Sequence, residues 1–339
     1  MVDVAARAGV STATVDRILN GRAGVRPATV QRVLRAATEL DYAIDPALVG
    51  TAPIRPMRLA FLLPAGTNRY LNHLGRLLGT SDELFASFRM QARVEFIDSF
   101  EPDLMAQHLR RTGREVDGVA FMALEHPAVR EAVDGLADRG VPTVTLISDL
   151  ANSRRAAYVG LDNRAAGRTA ALLVARFIGP RPGRATKVAM IAGSRSYRAH
   201  EEREMGFLSL VEELDAEINV LGLREGRDDV AKNYRQAKML LAQNPDVVGI
   251  YNIGGAPEGI ARALKEAGRE QEVVFVGHGL TSETRSLLID GTMDAIITQN
   301  PRGVMMDCVT AFANLRDGRA PSHGLERPRS EIVVRENIP

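Results

Sequence analysis

The sequence has one cysteine, no tryptophan and no long apolar run among its 339 residues. Because Cys308 is alone, an intrachain disulfide is excluded, which suits a reducing compartment. Cys308 lies in an apolar stretch with helical spacing, which is typical of a buried structural thiol rather than a nucleophile. No apolar run reaches the roughly 18 residues that a membrane-spanning helix needs. The N-terminus also lacks the basic and apolar segments of an export signal. We therefore expect a cytoplasmic protein that does not enter a membrane.

The sequence also lacks the common signatures of catalysis. It has no glycine-rich phosphate loop, no carboxylates paired at catalytic spacing, no metal-ligand cluster and no nucleophile elbow. We therefore predict no catalytic residue, no metal and no cofactor. Two alternatives stay open: an enzyme on a doubly wound α/β fold, and a solute-binding protein for transport, which would need an export signal.

Positive charge is concentrated at the N-terminus. Residues 1–38 contain six arginines and two aspartates, a net charge of +4, whereas the whole chain carries +1. Such an asymmetry between segments favours nucleic-acid contact by the basic segment.

The first 20 residues have the pattern of two helices joined by a tight turn. Gly9 can adopt the positive φ of the turn at low cost, and the Ser11 hydroxyl can cap the second helix. A third helix is predicted over residues 29–40, with Pro27 as its start signal. The second helix carries apolar residues on one face: Val15, Ile18 and Leu19. This is a helix-turn-helix, whose second helix is the type that enters the DNA major groove.

Two sequence words, DVAARAGVSTATVDRILNG and GVRPATVQRVLRAATELDY, carry a resemblance to a known family. Residues 2–42 resemble the DNA-binding headpiece of the lactose-repressor (LacI/GalR) family of bacterial transcription regulators. The alternative is a small three-helix module with a solvated basic face. The resemblance implies that Thr12 and Ala13 face bases and that Arg17 contacts a guanine edge or a phosphate. Asp16 stands where the family usually has a small hydroxyl residue, so we expect it to pair with an arginine or a cytosine amine. The full set of predicted DNA contacts is Ser11, Thr12, Ala13, Thr14, Arg17, Asn20 and Arg32.

A proline-rich linker is predicted over residues 46–57, between a DNA-binding domain at 1–45 and a core at 58–339. Many family members carry a hinge helix of the form A-R-x-L here, whose leucine enters the minor groove. This chain has Leu48-Val49-Gly50-Thr51 instead, and Gly50 weakens a helix. The departure argues against operator bending by this segment, unless Leu48 serves in a shifted register.

After the linker, short apolar strands alternate with helices. Strands of this type, buried on both faces, are typical of parallel sheets. Helices are predicted between most of them, for example over 163–178, 198–213, 229–243, 257–267 and 301–316. Nine strands exceed one comfortable core, so we predict two doubly wound lobes. The predicted strands are Arg58–Pro64, Arg93–Asp98, Gly118–Leu124, Thr143–Asp149, Val188–Ser194, Ile218–Leu223, Val247–Ile253, Val273–His278 and Asp294–Gln299.

Residues 58–339 resemble the type I periplasmic-binding-protein fold, which is the sugar-sensing core of the same regulator family. The words that carry this resemblance include YVGLDNRAAGRTAALLVARF, REMGF and DAIITQNP. The resemblance implies two lobes joined by a three-strand hinge, with a ligand in the cleft. We place the crossings near Asp162, near Gly279 and at residues 318–330.

Polar residues at strand ends are the candidates for a ligand site, because sugar-like ligands need convergent amide, carboxylate and guanidinium groups beside an apolar wall. Arg203 is the strongest, since the family's R-x-x-G-F word uses this arginine to grip the ligand. For each candidate the structural alternative is a helix cap, a turn residue or a solvated side chain. The predicted ligand residues are Asn68, Tyr70, Asp149, Arg198, Arg203, Asn252, His278 and Gln299.

Two departures from the family bear on the ligand. His278 follows Gly277 where many members have an acid that fixes a sugar hydroxyl, so the histidine could replace it or belong to the framework. Several arginines lie in the cleft loops, and arginine forks favour carboxylate and phosphate. They suggest a sugar acid or a phosphate, unless they form a solvated helix face. The arginines are Arg69, Arg164, Arg195, Arg198 and Arg203.

These observations together predict a ligand-responsive transcription regulator, with repression as the commoner outcome in the family. The expected partners are a pseudo-palindromic double-stranded operator and a sugar or sugar-derived effector. The chain is expected to form a homodimer or homotetramer, because two-fold protein symmetry matches a two-fold operator.

Overall fold

A computed structural model describes residues 1–20, 25, 27–40, 42, 55–98, 100–180, 186–214, 217–326 and 328–339. The chain forms two compact units, residues 1–56 and 57–339. Most of the predicted linker, including Leu48 and Gly50, lies outside the described residues, so the domain boundary stays a prediction. No described helix is both long and apolar enough to cross a membrane.

The described residues of the N-terminal unit form three helices: α1 (Val2–Ala8), α2 (Thr12–Leu19) and α3 (Pro27–Glu39). Gly9 ends α1 with a φ of 64°, which confirms the predicted turn glycine. Ser11 caps α2, since its Oγ accepts the amide of Thr14 at 3.2 Å. The helices enclose a small apolar core: Val4, Ala5, Ala8, Val15, Ile18, Val33, Ala36 and Ala37.

The second unit has two lobes, each built on a twisted sheet. The first lobe holds a five-stranded parallel sheet with the order β2-β1-β3-β4-β5. Its strands are β1 (Met57–Pro64), β2 (Met90–Ile97), β3 (Gly118–Phe121), β4 (Thr143–Leu146) and β5 (Ala157–Val159). Its helices are α4 (Arg69–Gly79), α5 (Asp82–Ser87), α6 (Pro102–Thr112) and α7 (Pro127–Asp138).

The second lobe holds a seven-stranded sheet with the order β12-β11-β10-β9-β6-β7, and β8 also pairs with β6. Its strands are β6 (Thr186–Ala192), β7 (Ile218–Val220), β8 (Arg224–Glu225), β9 (Val247–Asn252), β10 (Val274–His278), β11 (Ala295–Thr298) and β12 (Glu331–Val333). Its helices are α8 (Asn163–Ile178), α9 (Arg198–Glu213), α10 (Val230–Gln243), α11 (Pro257–Glu266) and α12 (Ser282–Ile289). Only the β11–β12 pair is antiparallel among the described strands.

A last long helix, α13 (Pro301–Arg316), follows the second lobe in sequence but packs into the core of the first. Cys308 lies on its buried face, and burial raises the pKa of the thiol, as expected for a structural cysteine. A short 3₁₀ turn, Arg335–Asn337, ends the chain after β12.

The predicted crossing near Gly279 is wrong. β10 ends at His278 and its neighbour in the same sheet is β11, so the chain stays in the second lobe past Gly279. The passage back to the first lobe comes after Gln299, where Asn300 caps α13. Residues between α13 and β12 then return the chain to the second sheet.

The predicted architecture of two doubly wound lobes is confirmed, and all nine predicted strands are present. The apolar residues of the central strands are buried because helices cover both sheet faces. The three strands that the sequence pattern did not reveal, β5, β8 and β12, have at most three residues each and are partly exposed. Strands this short carry too few residues for a burial pattern to emerge.

Candidate functional site

A cavity lies between the two lobes, at the carboxyl ends of their strands. The enclosed space is small, about 50 Å³, because the lobes contact each other directly around it. The apolar part of its wall comes from both lobes and is formed by Leu71, Met122, Ile147, Leu161 and Ile297. Its polar groups come from Asn68, Tyr70, His200, Arg203, Asp228, His278, Thr298 and Gln299. The mixture of an apolar wall and a few convergent polar groups is typical of a small-molecule site.

Five of the eight predicted ligand residues line this cavity: Asn68, Tyr70, Arg203, His278 and Gln299. Asn252 is fully buried behind them, where its Nδ2 donates to the carbonyls of Gly254 and Gly255 at 3.2 Å each. It therefore shapes the loop that carries two glycines of the cavity wall. The other two, Asp149 and Arg198, lie elsewhere. Whether the five bind a ligand stays a prediction.

Arg203 is the only arginine among the described residues that line the cavity, and it is 6% exposed. Its Nε donates to Asn163 Oδ1 at 2.9 Å and its Nη1 donates to the Ile253 carbonyl at 2.8 Å. Burial lowers the pKa of Arg203, yet an arginine stays protonated in proteins. Both of these partners are neutral, and three of the five guanidinium N–H groups have no partner among the described hydrogen bonds.

Two glycines bring the helix of Arg203 against its neighbour. A Cβ on Gly167 of α8 would lie 2.1 Å from the Arg203 carbonyl, and a Cβ on Gly206 of α9 would lie 2.1 Å from the Arg164 carbonyl. The backbones of α8 and α9 therefore touch, which places Asn163 at the start of α8 within reach of Arg203. The glycine of the R-x-x-G-F word has this packing role.

Asp228 opposes the charge of Arg203 and was missed by the sequence reasoning. It is 6% exposed and adopts a left-handed φ of 51°. Its Oδ1 accepts the amide of Gly255 at 2.7 Å, and its Oδ2 accepts Asn68 Nδ2 from the other lobe at 2.9 Å. A signal was present in the sequence: the pair Asp228-Asp229 precedes a helix that needs one cap. Asp229 supplies that cap to Lys232 at 2.8 Å, which leaves Asp228 for another role.

His278 is the last residue of β10, and the aromatic residue Tyr251 packs against its ring. Its Nε2 lies 2.7 Å from the hydroxyl of Tyr251, and Tyr251 stacks on Phe207 with ring centroids 5.0 Å apart. Burial, followed by the nearby charge of Arg203, keeps the pKa of His278 well below 6.5. The imidazole is therefore neutral and can present one N–H donor.

His200 is a second cavity histidine; the sequence places it among the arginines of the predicted cluster but not among the predicted ligand residues. It is buried, and its Nδ1 lies 3.3 Å from the Ser194 amide and 3.0 Å from the Ser194 carbonyl oxygen. Burial lowers the pKa of His200. Its ring contacts Tyr197 edge to face, so it links the start of α9 to the cavity floor.

Direct hydrogen bonds join the lobes at the cavity rim. The Thr67 hydroxyl donates to the Asp228 carbonyl at 2.8 Å and accepts the Val230 amide at 3.3 Å. The Tyr70 hydroxyl donates to the Gln299 carbonyl at 3.3 Å. These contacts, with that of Asn68, hold the cleft closed around the cavity.

Asp149 and Arg198 line a different cavity of about 450 Å³ near the crossing segments. Asp149 is paired with Arg155, whose Nη2 lies 2.5 Å from its Oδ2. Arg198 is paired with Glu202 at 2.7 Å. Neither side chain lines the cavity of Arg203, because each is held by a neighbour of opposite charge.

The prediction that several arginines line the cavity is also wrong, because other members of the cluster pair with acidic residues or are exposed. Arg195 is largely exposed and pairs with Glu204 at 2.6 Å, while Arg69 lies 3.5 Å from Glu283. Arg164 is exposed on α8. With Arg203 alone in the cavity and Asp228 opposite, the argument for an anionic ligand fails.

The predicted DNA contacts lie in the N-terminal unit. Thr12, Ala13 and Arg17 are exposed on α2, and Arg32 is exposed on α3. Ser11 and Thr14 form the cap of α2, with hydroxyls 2.9 Å apart. The Asn20 amide donates to Asp16 Oδ1 at 2.8 Å, so an asparagine is one partner of the acid in this helix. These placements leave the DNA contacts themselves as predictions.

Comparisons with known proteins match this geometry. Residues 1–45 match the family described as bacterial regulatory proteins, lacI family, and residues 101–320 match the periplasmic binding protein domain. The D-allose-binding periplasmic protein of Escherichia coli strain K12 is 26% identical over 237 residues, which cover 68% of this chain and 72% of that protein.

Solved structures share the fold of the two lobes. GanP, a glucose-galactose binding protein from Geobacillus stearothermophilus, has a TM-score of 0.72 and 23% identity over 84% of this chain and 99% of its own. A solute binding protein from Agrobacterium radiobacter in complex with D-arabinose has a TM-score of 0.74 and 18% identity over 84% of this chain and 96% of its own. Family and fold thus point to a regulator or sugar-binding protein rather than an enzyme.

Proposed function

We propose that this chain, which belongs to the lacI family of bacterial regulatory proteins and has a periplasmic binding protein domain as its core, is a transcriptional repressor whose effector is a neutral monosaccharide. One observation carries the choice of ligand. The cavity between the lobes contains one buried cation, Arg203, and one buried anion, Asp228. Their charges cancel, so a ligand with a net charge would leave a buried charge unbalanced, which is costly.

The rest of the cavity wall supports a sugar. Hydroxyl groups both donate and accept, and they suit Arg203 as a donor, Asp228 as an acceptor and Asn68 as both. The C–H faces of a sugar ring suit the apolar side chains of Ile147 and Ile297. Relatives and fold neighbours favour the same class, since one is named for D-allose and others hold D-allose, D-arabinose or D-fucose.

DNA binding is assigned to the N-terminal unit. The exposed side chains of Thr12, Ala13 and Arg17 share the surface of α2 that is free of core contacts. A homodimer would place two such helices on the half-sites of a pseudo-palindrome. Closure of the cleft around the sugar would change the operator affinity, a coupling that typically amounts to about 1–3 kcal/mol. A regulator of this kind works in the cytoplasm, where the operator is.

A calorimetric panel tests the ligand class. D-allose, D-arabinose, D-fucose and D-tagatose are compared with D-glucuronate and D-allose 6-phosphate. We expect a neutral sugar to bind and both charged compounds to bind more weakly. Tighter binding of a charged compound than of every neutral sugar would contradict the proposal.

A matched pair of variants tests the site. Arg203→Met removes the guanidinium that lines the cavity, and Arg198→Met removes one from the same helix that lies outside it. We expect the first to lose sugar binding and the second to keep it. Equal losses would show that the cavity is not the site. A gel shift with an operator selected from random DNA, with and without the sugar, tests the coupling of the two units.

A further inference from the structure

Two buried polar atoms in the cavity have no hydrogen-bond partner among the residues that the structure describes: His278 Nδ1 and Gln299 Oε1. Both residues line the cavity from adjacent parallel strands, since His278 lies opposite Ile297 and Gln299 follows two residues later. Side chains repeat every two residues along a strand, so these residues face the same side of the sheet. Buried polar atoms without partners are costly and need an explanation, and a ligand that reaches both atoms would supply it.

The hydrogen bond from Tyr251 determines which nitrogen of His278 carries the proton. Tyr251 is fully buried, and its hydroxyl has one described partner, His278 Nε2 at 2.7 Å. Burial raises the pKa of Tyr251, so its phenol is protonated. The phenol must therefore donate to Nε2, because the reverse bond would leave its own hydrogen buried without an acceptor. Since the imidazole is neutral, its proton is then on Nδ1.

Among the described residues His278 Nδ1 makes no hydrogen bond of normal geometry. The carbonyl of Ile297 interacts with this ring, but it falls outside that geometry and accepts the amide of Gly279 at 3.0 Å. The neighbouring Gln299 Oε1 is an acceptor without a donor. A single hydroxyl group can accept from the first and donate to the second.

We propose that Tyr251 is a positioning residue that holds His278 as its Nδ1–H tautomer, so that His278 donates to, and Gln299 accepts from, one hydroxyl of the bound sugar. The identity of the ligand in this inference rests on the proposed function, whereas the tautomer of His278 does not. It makes this position of the site a donor to the ligand, whereas an acid at the same place would be an acceptor. The sugar hydroxyl is thereby read in one orientation.

Nitrogen-15 NMR of the histidine side chains tests the tautomer in the full chain without ligand. His278→Asn identifies the signals of His278 by their loss. We expect Nε2 to have the shift of an unprotonated acceptor and Nδ1 that of an N–H nitrogen, and Tyr251→Phe to reduce this preference. A protonated Nε2 in the wild-type protein, or an unchanged tautomer in Tyr251→Phe, would overturn the role of Tyr251.

Calorimetry with D-allose tests the reading of the ligand. Tyr251→Phe does not alter a residue that lines the cavity, yet we expect about a tenfold weaker affinity, the equivalent of one hydrogen bond. His278→Asp replaces the donor by an acceptor and should weaken binding at least as much. His278→Asn keeps an N–H donor near the Nδ1 position and should retain more affinity than His278→Asp. Tyr234→Phe removes a hydroxyl that bonds Glu266 away from the cavity, and it serves as the control for the loss of a tyrosine hydroxyl.

Sugar analogues identify the hydroxyl. Each D-allose hydroxyl is replaced in turn by fluorine, which cannot donate to Gln299. Fluorine at one position should lower the affinity of the wild-type protein for the sugar. In Gln299→Leu the same fluorine should lower the affinity by little. Tight binding of every fluorinated analogue, or equal binding by His278→Asp and His278→Asn, would refute the shared hydroxyl. If D-allose does not bind at all, the proposed effector class fails on this probe, while the NMR result still decides the role of Tyr251.

Discussion

Exchanging the two side chains of the bond between Asn68 and Asp228 should first weaken and then restore ligand binding. In Asp228→Asn the amide oxygen can still accept from Gly255, but the amide nitrogen then faces Asn68 Nδ2, a second donor. Asn68 cannot turn its amide over, because its Oδ1 caps α4 by accepting the amide of Leu71 at 3.3 Å. The bond across the cleft is therefore lost.

The expected loss of affinity follows from the type of hydrogen bond that is removed. A hydrogen bond to a charged group contributes about 1.5–3 kcal/mol, so the affinity for the best neutral sugar should fall about 10- to 150-fold. Asn68→Asp alone should also weaken binding, because it places a second carboxylate beside Asp228. The double variant Asn68→Asp with Asp228→Asn restores one donor and one acceptor. We expect it to recover most of the lost affinity.

Isothermal titration calorimetry on the four proteins forms a double-mutant cycle, whose coupling term isolates the pair. Small-angle scattering on the same samples reports whether the cleft opens. Affinity of Asp228→Asn within twofold of the wild type would refute the reasoning. So would a double variant no better than the weaker single one. Thr67→Val, which removes a neutral contact between the lobes at the same loop, should cost less than Asp228→Asn.

Three further predictions follow from other parts of the chain. Gly206→Ala should destabilise the second unit by about 3 kcal/mol and abolish sugar binding, since its Cβ would meet the Arg164 carbonyl at 2.1 Å; thermal unfolding that matches the wild type would contradict this close helix packing. Arg17→Ala should weaken operator binding by about 5- to 150-fold, the loss of one bidentate base contact, and leave calorimetric sugar binding intact; an unchanged gel shift would argue against α2 as the reading helix. Stability should fall as pH decreases below 6.5, because burial lowers the pKa of His200 and His278 and the unfolded chain then binds more protons than the native one. The free energy of unfolding should change by up to about 1.4 kcal/mol per pH unit for each histidine. Denaturant titrations at several pH values measure this slope, and a slope that neither His200→Gln nor His278→Gln alters would refute the prediction.

The helices of the second lobe were predictable because their sequence signals are local. α8 begins after Asp162, whose Oδ1 accepts the Ala165 amide at 2.9 Å, and both its ends match the prediction from periodicity. Arg203 was predicted from its R-x-x-G-F word. The expectation that several arginines line the cavity was wrong, although its correction was also local. Arg198 and Glu202 are four residues apart on one helix, a spacing that favours an ion pair.

Other features of the site depend on contacts between distant segments. Asp228 and Asn68 are 160 residues apart in the sequence, and no periodicity of the sequence predicts their contact. Ile147 was predicted as part of a strand, but it adopts a left-handed φ of 63° at the cavity wall. A β-branched residue rarely takes this conformation, so propensity alone argues against it. Two hydrogen bonds hold it there. The Ile147 amide donates to the Val159 carbonyl at 2.9 Å, and the Tyr158 hydroxyl donates to the Ile147 carbonyl at 3.1 Å.

The positions of these strained residues bear on how ligand binding and lobe closure are linked. Ile147 in the first lobe and Asp228 in the second both have left-handed backbones and both line the cavity. Strain of this kind persists only where the surroundings hold it. For Asp228 those surroundings include Asn68 and Thr67 of the opposite lobe. The side chain that balances Arg203 therefore has all of these contacts only when the lobes are together, so we expect a neutral sugar that touches both charges to bind the closed form better. That difference in affinity between open and closed forms is what a ligand needs to shift their populations.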